Sequence, residues 1–366
     1  MEKRKPLLVM AIDFGGSSTK IIGGRSFKQR SCFVMEPYVS ELPKQLLREN
    51  NSLTSALPKD RAWVAIDDRY TAVGYLAQLL TTANPMLSQL KLLSAVEKVA
   101  AAVWVLKEQF KLPNQIRLAL VALLPPGEYS NKQTLEERLR ESLSSYMTPG
   151  GEMQVELSLF DCKPEGAGIF MHHKGKRGAS NINQGIMSVL PLGYRNASAL
   201  VFNRGNIADF TTSDLGFASM LKGIIRSTSG QTLERLSEPV AQWRIQQTDS
   251  VLKKILLSDD EEEELETLKE AIAIQHQKYT TDLFKWLSEV LPKNLDEVVL
   301  CGGTADYLRR EMVEFFGAQK VYLHANVNLP DDIKSLNMEN RWADVWCIWD
   351  YFLPTVNSLN KTKVAA

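Results

Sequence analysis

The 366-residue sequence has little of what marks several protein classes. Cysteine occurs four times, at Cys32, Cys162, Cys301 and Cys347, with no CxxC pair. Such spacing excludes a disulfide scaffold, speaks against a zinc site, and fits reduced, mostly buried thiols. No apolar run approaches the ~18 residues of a membrane span. The Lys3-Arg4-Lys5 cluster precedes an apolar stretch that Asp13 interrupts, so no secretory leader is expected. An excess of one charge is also missing, because 43 basic and 43 acidic residues cancel. Nucleic-acid-binding domains are usually basic, so bulk charge gives direct contact with nucleic acid no support. What is there, 44% hydrophobic and 23% charged, describes an ordinary globular chain. We expect it to be cytoplasmic, with about two domains at ~150 residues each.

The apolar run Leu7 to Ile12 predicts a buried strand. Asp13-Phe14-Gly15-Gly16-Ser17-Ser18 is turn chemistry, and Thr19 to Gly23 returns as a second strand. This is a hairpin, unlike the strand–loop–helix of a P-loop. The stretch 26–85 is irregular and holds Pro37, Pro43 and Pro58, which suits an inserted subdomain. A helical face over Leu87 to Phe110 follows, then a buried strand over Ile116 to Leu124 stopped by Pro125-Pro126-Gly127. Thr134 to Tyr146 reads as a helix and Met153 to Phe160 as a strand.

Gly166 to Gln184 reads as a long surface loop or the crossing between two halves. Its basic block, His172 to Arg177, lacks interleaved aromatics for base stacking and reads as a solvated loop tip. Strands Ile186 to Leu190 and Ala199 to Asn203 frame a tight turn at Leu192 to Asn196. Helices are predicted over Phe217 to Arg226 and Thr232 to Gln247. The acidic run Asp259 to Glu264 opens a long amphipathic helix, with Ser258 and Glu261 as its capping box. A strand at Glu297 to Leu300 leads through Cys301-Gly302-Gly303-Thr304 into a helix ending at Phe316. In the last helix, about Asn340 to Tyr351, Trp342, Trp346 and Trp349 fall at helical spacing and read as core. A strand–glycine turn–strand unit opens each half, which suggests a duplication.

Three turns carry chemistry. In the first, backbone N–H groups of Gly15, Gly16, Ser17, Ser18 and Thr19 can cradle phosphate oxygens, and Lys20 adds a cation. Asp13, ending its strand, can hold water on Mg²⁺, which binds few carboxylates and keeps its waters. A plain hairpin turn with a capping Asp is the alternative. The second turn is Gly193, Tyr194, Arg195 and Asn196. At the third, Gly302, Gly303 and Thr304 would let an adenosine moiety lie on bare backbone, and the following helix N-terminus favours a phosphate.

In this order the turns resemble the phosphate-one, phosphate-two and adenosine motifs of the actin-like ATPase superfamily. Within it the chain is most similar to ParM/StbA-type plasmid-segregation actins. Asp13-x-Gly15 with Lys20 matches their first motif, and Leu123 to Tyr129 resembles an "LPxxEY" strand end. Pro164-Glu165 resembles the segment bearing the catalytic glutamate, and Ser213-Asp214-Leu215-Gly216 the lead-in to a helix near the nucleotide. The resemblance implies an α/β actin-like ATPase fold: two similar halves, mixed sheets flanked by helices, and a nucleotide cleft. The first half would span 1–184 with an insertion near 26–85, and the second 185–340 with an insertion near 226–292. Residues 341–366 would form a closing helix returning to the first half, with a tail. ATP and Mg²⁺ are the implied cofactors, with Asp13 toward the metal, Gly216 near the nucleotide and Glu165 orienting the hydrolytic water. Implied partners are further copies of the chain in filaments and a DNA-binding adaptor for plasmid segregation. The departures are Pro191 and Ser198 at two usually acidic positions, Thr304 where a further Gly is common, and Ala343-Asp344 in the closing helix. Pro191 argues for slow ATP hydrolysis and sustains a rival, a degenerate nucleotide-binding module that acts by partner binding. A small-molecule kinase would need a general base for which no signature is present.

Overall fold

A computed structural model describes residues 5–49, 55–80, 90–318 and 320–365. It divides into two units, 1–168 with 328–366, and 169–327. Parts of the expected insertion at 26–85, and the start of the helical face at Leu87, lie outside the described residues.

The first unit is built on a nine-stranded sheet ordered β3-β2-β1-β7-β9-β8-β5-β6-β4. Its strands are β1 (Leu7–Phe14), β2 (Thr19–Gly24), β3 (Arg30–Met35), β4 (Val39–Glu41), β5 (Trp63–Ile66), β6 (Arg69–Val73), β7 (Gln115–Leu124), β8 (Tyr146–Thr148) and β9 (Gly151–Pro164). The hairpin β1–β2 is antiparallel and sets Asp13 opposite Lys20. Parallel pairing of β1 with β7, and of β7 with β9, brings Asp13 beside Leu123 and Leu124 beside Pro164. Parallel strands are buried on both faces, and Leu8 to Ile12 and Leu118 to Leu124 are accordingly buried.

The helix Ala95–Gln109 is apolar nearly all round and buried, as such helices must be. It begins after a 3₁₀ turn, Lys91–Ser94. The closing helix Ala343–Ala365 packs on β1, β2 and β7. Trp342, Trp349 and Phe352 are fully buried, and Trp346 lies under the Arg30 guanidinium, 5.1 Å from the ring centroid.

The second unit repeats the ladder in miniature. Its sheet is β12-β11-β10-β13-β14, formed by β10 (Ile186–Pro191), β11 (Ala197–Asn203), β12 (Asn206–Ser213), β13 (Glu297–Cys301) and β14 (Val321–Leu323). Two antiparallel pairings followed by two parallel ones reproduce the sense of β3-β2-β1-β7-β9. Helices Phe217–Ser227, Leu233–Gln246 and Glu261–Val290 supply apolar faces to a second core.

Three local expectations are corrected. The loop expected over Gly166 to Gln184 is mostly helix, Ala167–Arg177 and Ala179–Ile182. Ile169 and His173, one turn apart, are buried on one helix face, a pairing that the Gly- and Lys-rich composition hides. His173 donates to Glu297 at 2.6 Å, and Arg177 reaches the same carboxylate, so the block is partly an internal ion cluster rather than a solvated tip. The long helix is capped by Asp260, whose side chain accepts from the Glu263 N–H, rather than by Ser258. Glu264 turns back instead to accept from the Leu257 and Ser258 N–H groups.

Candidate functional site

In the first unit the hairpin turn, the 3₁₀ turn before the buried helix, and the end of β9 bring ionisable groups together. Asp13 and Lys20 pair across the hairpin at 2.6 Å, both largely buried. Asp13 therefore already has a cation, and a metal-bound water would compete with Lys20 for it. Ser17 is exposed, whereas Ser18 and Thr19 are buried and their hydroxyl oxygens have no hydrogen-bond partner. Buried unpaired hydroxyls are costly and rare, so two adjacent ones mark a place made for polar atoms. Gly15 is needed for close approach, because a Cβ there would lie 2.5 Å from the Ser18 carbonyl oxygen and 3.1 Å from Lys20 Nζ.

Glu165 stands just beyond β9. Its N–H donates to the Leu124 carbonyl at 2.8 Å, and the next N–H, of Gly166, donates to Asp344 Oδ2 at 2.6 Å. Asp344, noted above only as a departure, thus fixes this backbone from the closing helix. The Glu165 carboxylate accepts from Lys91 Nζ at 2.5 Å. Burial pushes its pKa upward, Lys91 opposes this, and Asp13 adds to the rise.

Sequence reasoning missed Lys91, Lys98 and Glu128 as members of this cluster. Glu128 is buried and accepts from the N–H groups of Lys91 (3.1 Å) and Leu92 (2.9 Å), two of the orphan donors at a helical start. Lys98 is buried among alanines and valines. Desolvation, followed by repulsion from Lys91, lowers its pKa to about 8. The signal for the two lysines was charge inside apolar helical runs, where charged residues are almost never fully buried unless paired, while Glu128 stood unassigned within the Leu123 to Tyr129 strand end.

The second unit holds the other two turns. Leu192 donates its N–H to Cys301 and bridges Ala197, and Gly193 N–H closes the turn on Asn196 at 2.9 Å. Pro191 is buried and lies opposite Cys301 in the ladder, and Ser198 bonds Thr212 at 3.0 Å, so neither substitutes for a carboxylate. Tyr194 turns its hydroxyl to Ser237 at 2.9 Å, Arg195 is half-buried, and Asn196 reaches Ser213 and Asp214. Gly216 precedes the helix Phe217–Ser227, whose first donors go to the Gly193 and Tyr194 carbonyls.

Gly302 has φ of +92°, a conformation that favours glycine, and a Cβ there would meet the Leu192 carbonyl. Beyond Gly303, Thr304 is buried and ties the third turn to the second through its hydroxyl on the Gly193 carbonyl (2.9 Å). From Leu215 a cavity of about 380 Å³ extends between helices Phe217–Ser227 and Glu261–Val290. Ser219, Arg226, Gln275, Lys278 and Asp282 give it polar walls. No cluster of three metal-ligating side chains occurs among the described residues, and no described helix is long and apolar enough to cross a membrane.

No family model and no curated protein matches the chain. Solved structures do. The chain is similar to the actin-like protein Alp7A at 14% identity and a TM-score of 0.66, over 98% of this chain and 100% of that one. It is similar to the ParM of a 15-stranded filament from Clostridium botulinum at 14% identity and a TM-score of 0.63, over 95% and 99%. With Bacillus thuringiensis ParM, solved with ATP, the values are 14%, 0.60, 98% and 100%. The chain has the actin-like fold, and its structure resembles those of ParM-type proteins.

Proposed function

We propose that this actin-like chain binds Mg-ATP, hydrolyses it slowly, and assembles into filaments that position plasmid DNA through an adaptor. The observation that carries the nucleotide reading is the first turn. Two buried hydroxyls without partners, Ser18 and Thr19, stand between a glycine with no room for a side chain and the Asp13–Lys20 pair. Phosphate oxygens would satisfy both hydroxyls and take up Lys20, and Asp13 would then be released toward metal-bound water. In the second unit Gly302, Gly303 and Thr304 would border the nucleoside, and the polar cavity beginning at Leu215 would receive base or ribose. Mg²⁺ supplies charge neutralisation on the phosphates when bound, and Glu165 would orient the attacking water. The ATP-bound ParM and the ParM filament, each similar in fold over nearly its whole length, support the reading.

A second reading, the nucleotide-binding module without dynamic filaments, is favoured by Pro191. It sits in the ladder where a carboxylate would otherwise reach the second turn. Titration with Mg-ATP and Mg-ADP tests the nucleotide site that both readings share. Asp13→Ala is expected to weaken Mg-ATP binding about tenfold or more while circular dichroism stays unchanged, the loss of a charge-assisted contact. Unaltered affinity would remove the first turn from the site.

A further inference from the structure

We propose that Lys91 is the positioning residue of Glu165, holding one carboxylate oxygen so that the other stays free to accept from a water. This deepens the proposed function and rests on it only for the identity of the reaction. Lys91 Nζ takes Glu165 Oε1 at 2.5 Å, with side-chain exposures of 8% and 17%. Among the described residues no other donor reaches the Glu165 carboxylate, and none of them partners Oε2. A lone buried carboxylate would take up a proton and lose its use as an acceptor of a water's hydrogen bond. The lysine opposes this and holds one carboxylate oxygen in place.

Lys91 is itself fixed. Glu128 accepts from its backbone N–H and from that of Leu92, and the following helix is buried in the core. A rigid element thus carries the cation, and a positioned group on such an element keeps its geometry better than one on a free loop.

The surroundings supply no substitute. From the hairpin, Asp13 faces Glu165 as a like charge, and Lys20 is committed to Asp13. From the buried helix come Glu97 and Lys98; Lys98 makes no hydrogen bond or ion pair with Glu165, whose carboxylate is reached by Lys91. Glu128 spends both oxygens on backbone N–H groups. Asp344, from the closing helix, is engaged by the Gly166 N–H. Removing Lys91 would leave Glu165 with carboxylates nearby and, among the described residues, no cation at hydrogen-bonding distance.

The test uses the full chain with Lys91→Met, Lys91→Arg and Glu128→Gln. Infrared difference spectra against Glu165→Gln isolate the Glu165 carboxyl without any nucleotide. At neutral pH the wild type and Lys91→Arg are expected to show a carboxylate, and Lys91→Met a protonated acid. Single-turnover ATP hydrolysis should fall ~10²-fold in Lys91→Met, the scale of a lost acid–base or orienting group, while the Kd for Mg-ATP changes less than about threefold. Lys91→Arg should recover most of the rate. Glu128→Gln keeps the lysine but slackens its anchor, and should give an intermediate rate; it also serves if Lys91→Met does not fold.

An ionised Glu165 in Lys91→Met, or an undiminished rate, overturns the proposal. Equal losses of affinity and rate would make Lys91 a phosphate contact and overturn it too. A wild type that binds no nucleotide would instead sink the proposed function, and the infrared result alone would then decide the role of Lys91.

Discussion

At the scale of single residues, two glutamates of this chain titrate in opposite directions. Burial would raise the Glu311 carboxyl, but hydrogen bonding from His276 at 3.0 Å and the Arg244 guanidinium outweigh it and bring the pKa to about 2. A depressed acid stabilises the fold above its ordinary value of 4.5, and that contribution is lost as pH falls toward about 2. Glu311→Gln is therefore expected to lower the melting temperature near neutral pH. It should also flatten the decline of melting temperature below pH 4.5, as followed by calorimetry across a pH series. Glu165 runs the other way: its carboxyl is raised by burial, so its ionised form costs stability as pH climbs past the ordinary carboxylate range. Groups held at such a cost concentrate where they serve chemistry. Stability assays should therefore tolerate Glu165→Gln at neutral pH far better than Glu311→Gln.

At the scale of elements, the hairpin β1–β2 and the strand-to-helix turn at Gly302 were legible because glycine and small polar residues interrupt apolar runs there. The closing helix was legible from its tryptophan spacing. What escaped was any element whose burial depends on a distant partner. The helix Ala167–Arg177 needs Glu297, more than a hundred residues away, to satisfy His173 and Arg177. Lys91 is readable as a site residue only once β9 has carried Glu165 next to it. Trp349, fully buried on the closing helix, offers a direct measure of that element: Trp349→Ala should cost ~3–5 kcal/mol by denaturant titration, as large-to-small core changes do. A cost under about 1 kcal/mol would mean the helix contributes little to its unit. For the second turn, Pro191 is a strand residue that can neither donate an N–H nor carry charge. Pro191→Asp is expected to raise phosphate release several-fold if the fold accepts it. An unchanged rate would show that its lack of a carboxylate does not limit turnover.

At the scale of the whole molecule, the same order and sense of strands appear in both units, which the paired strand–turn–strand units in the sequence foreshadowed. Formal charge sums to zero, so subunits repel one another little, and that favours association. Sedimentation across a concentration series should show Mg-ATP driving the chain into pellets that hold filaments under negative stain. Monomers throughout would leave only the binding module. The first unit is assembled from both ends of the chain, 1–168 and 328–366, while the second is a single uninterrupted run. A ribosome releases the chain from its N-terminus. The second unit can therefore finish folding while the face of β1, β2 and β7 still waits for Trp342, Trp349 and Phe352 to arrive. Until then the hairpin that bears Asp13 rests on an uncovered apolar surface, so a nascent chain stalled before residue 328 should be a client for chaperones, and the Asp13 turn should mature among the last parts of the protein.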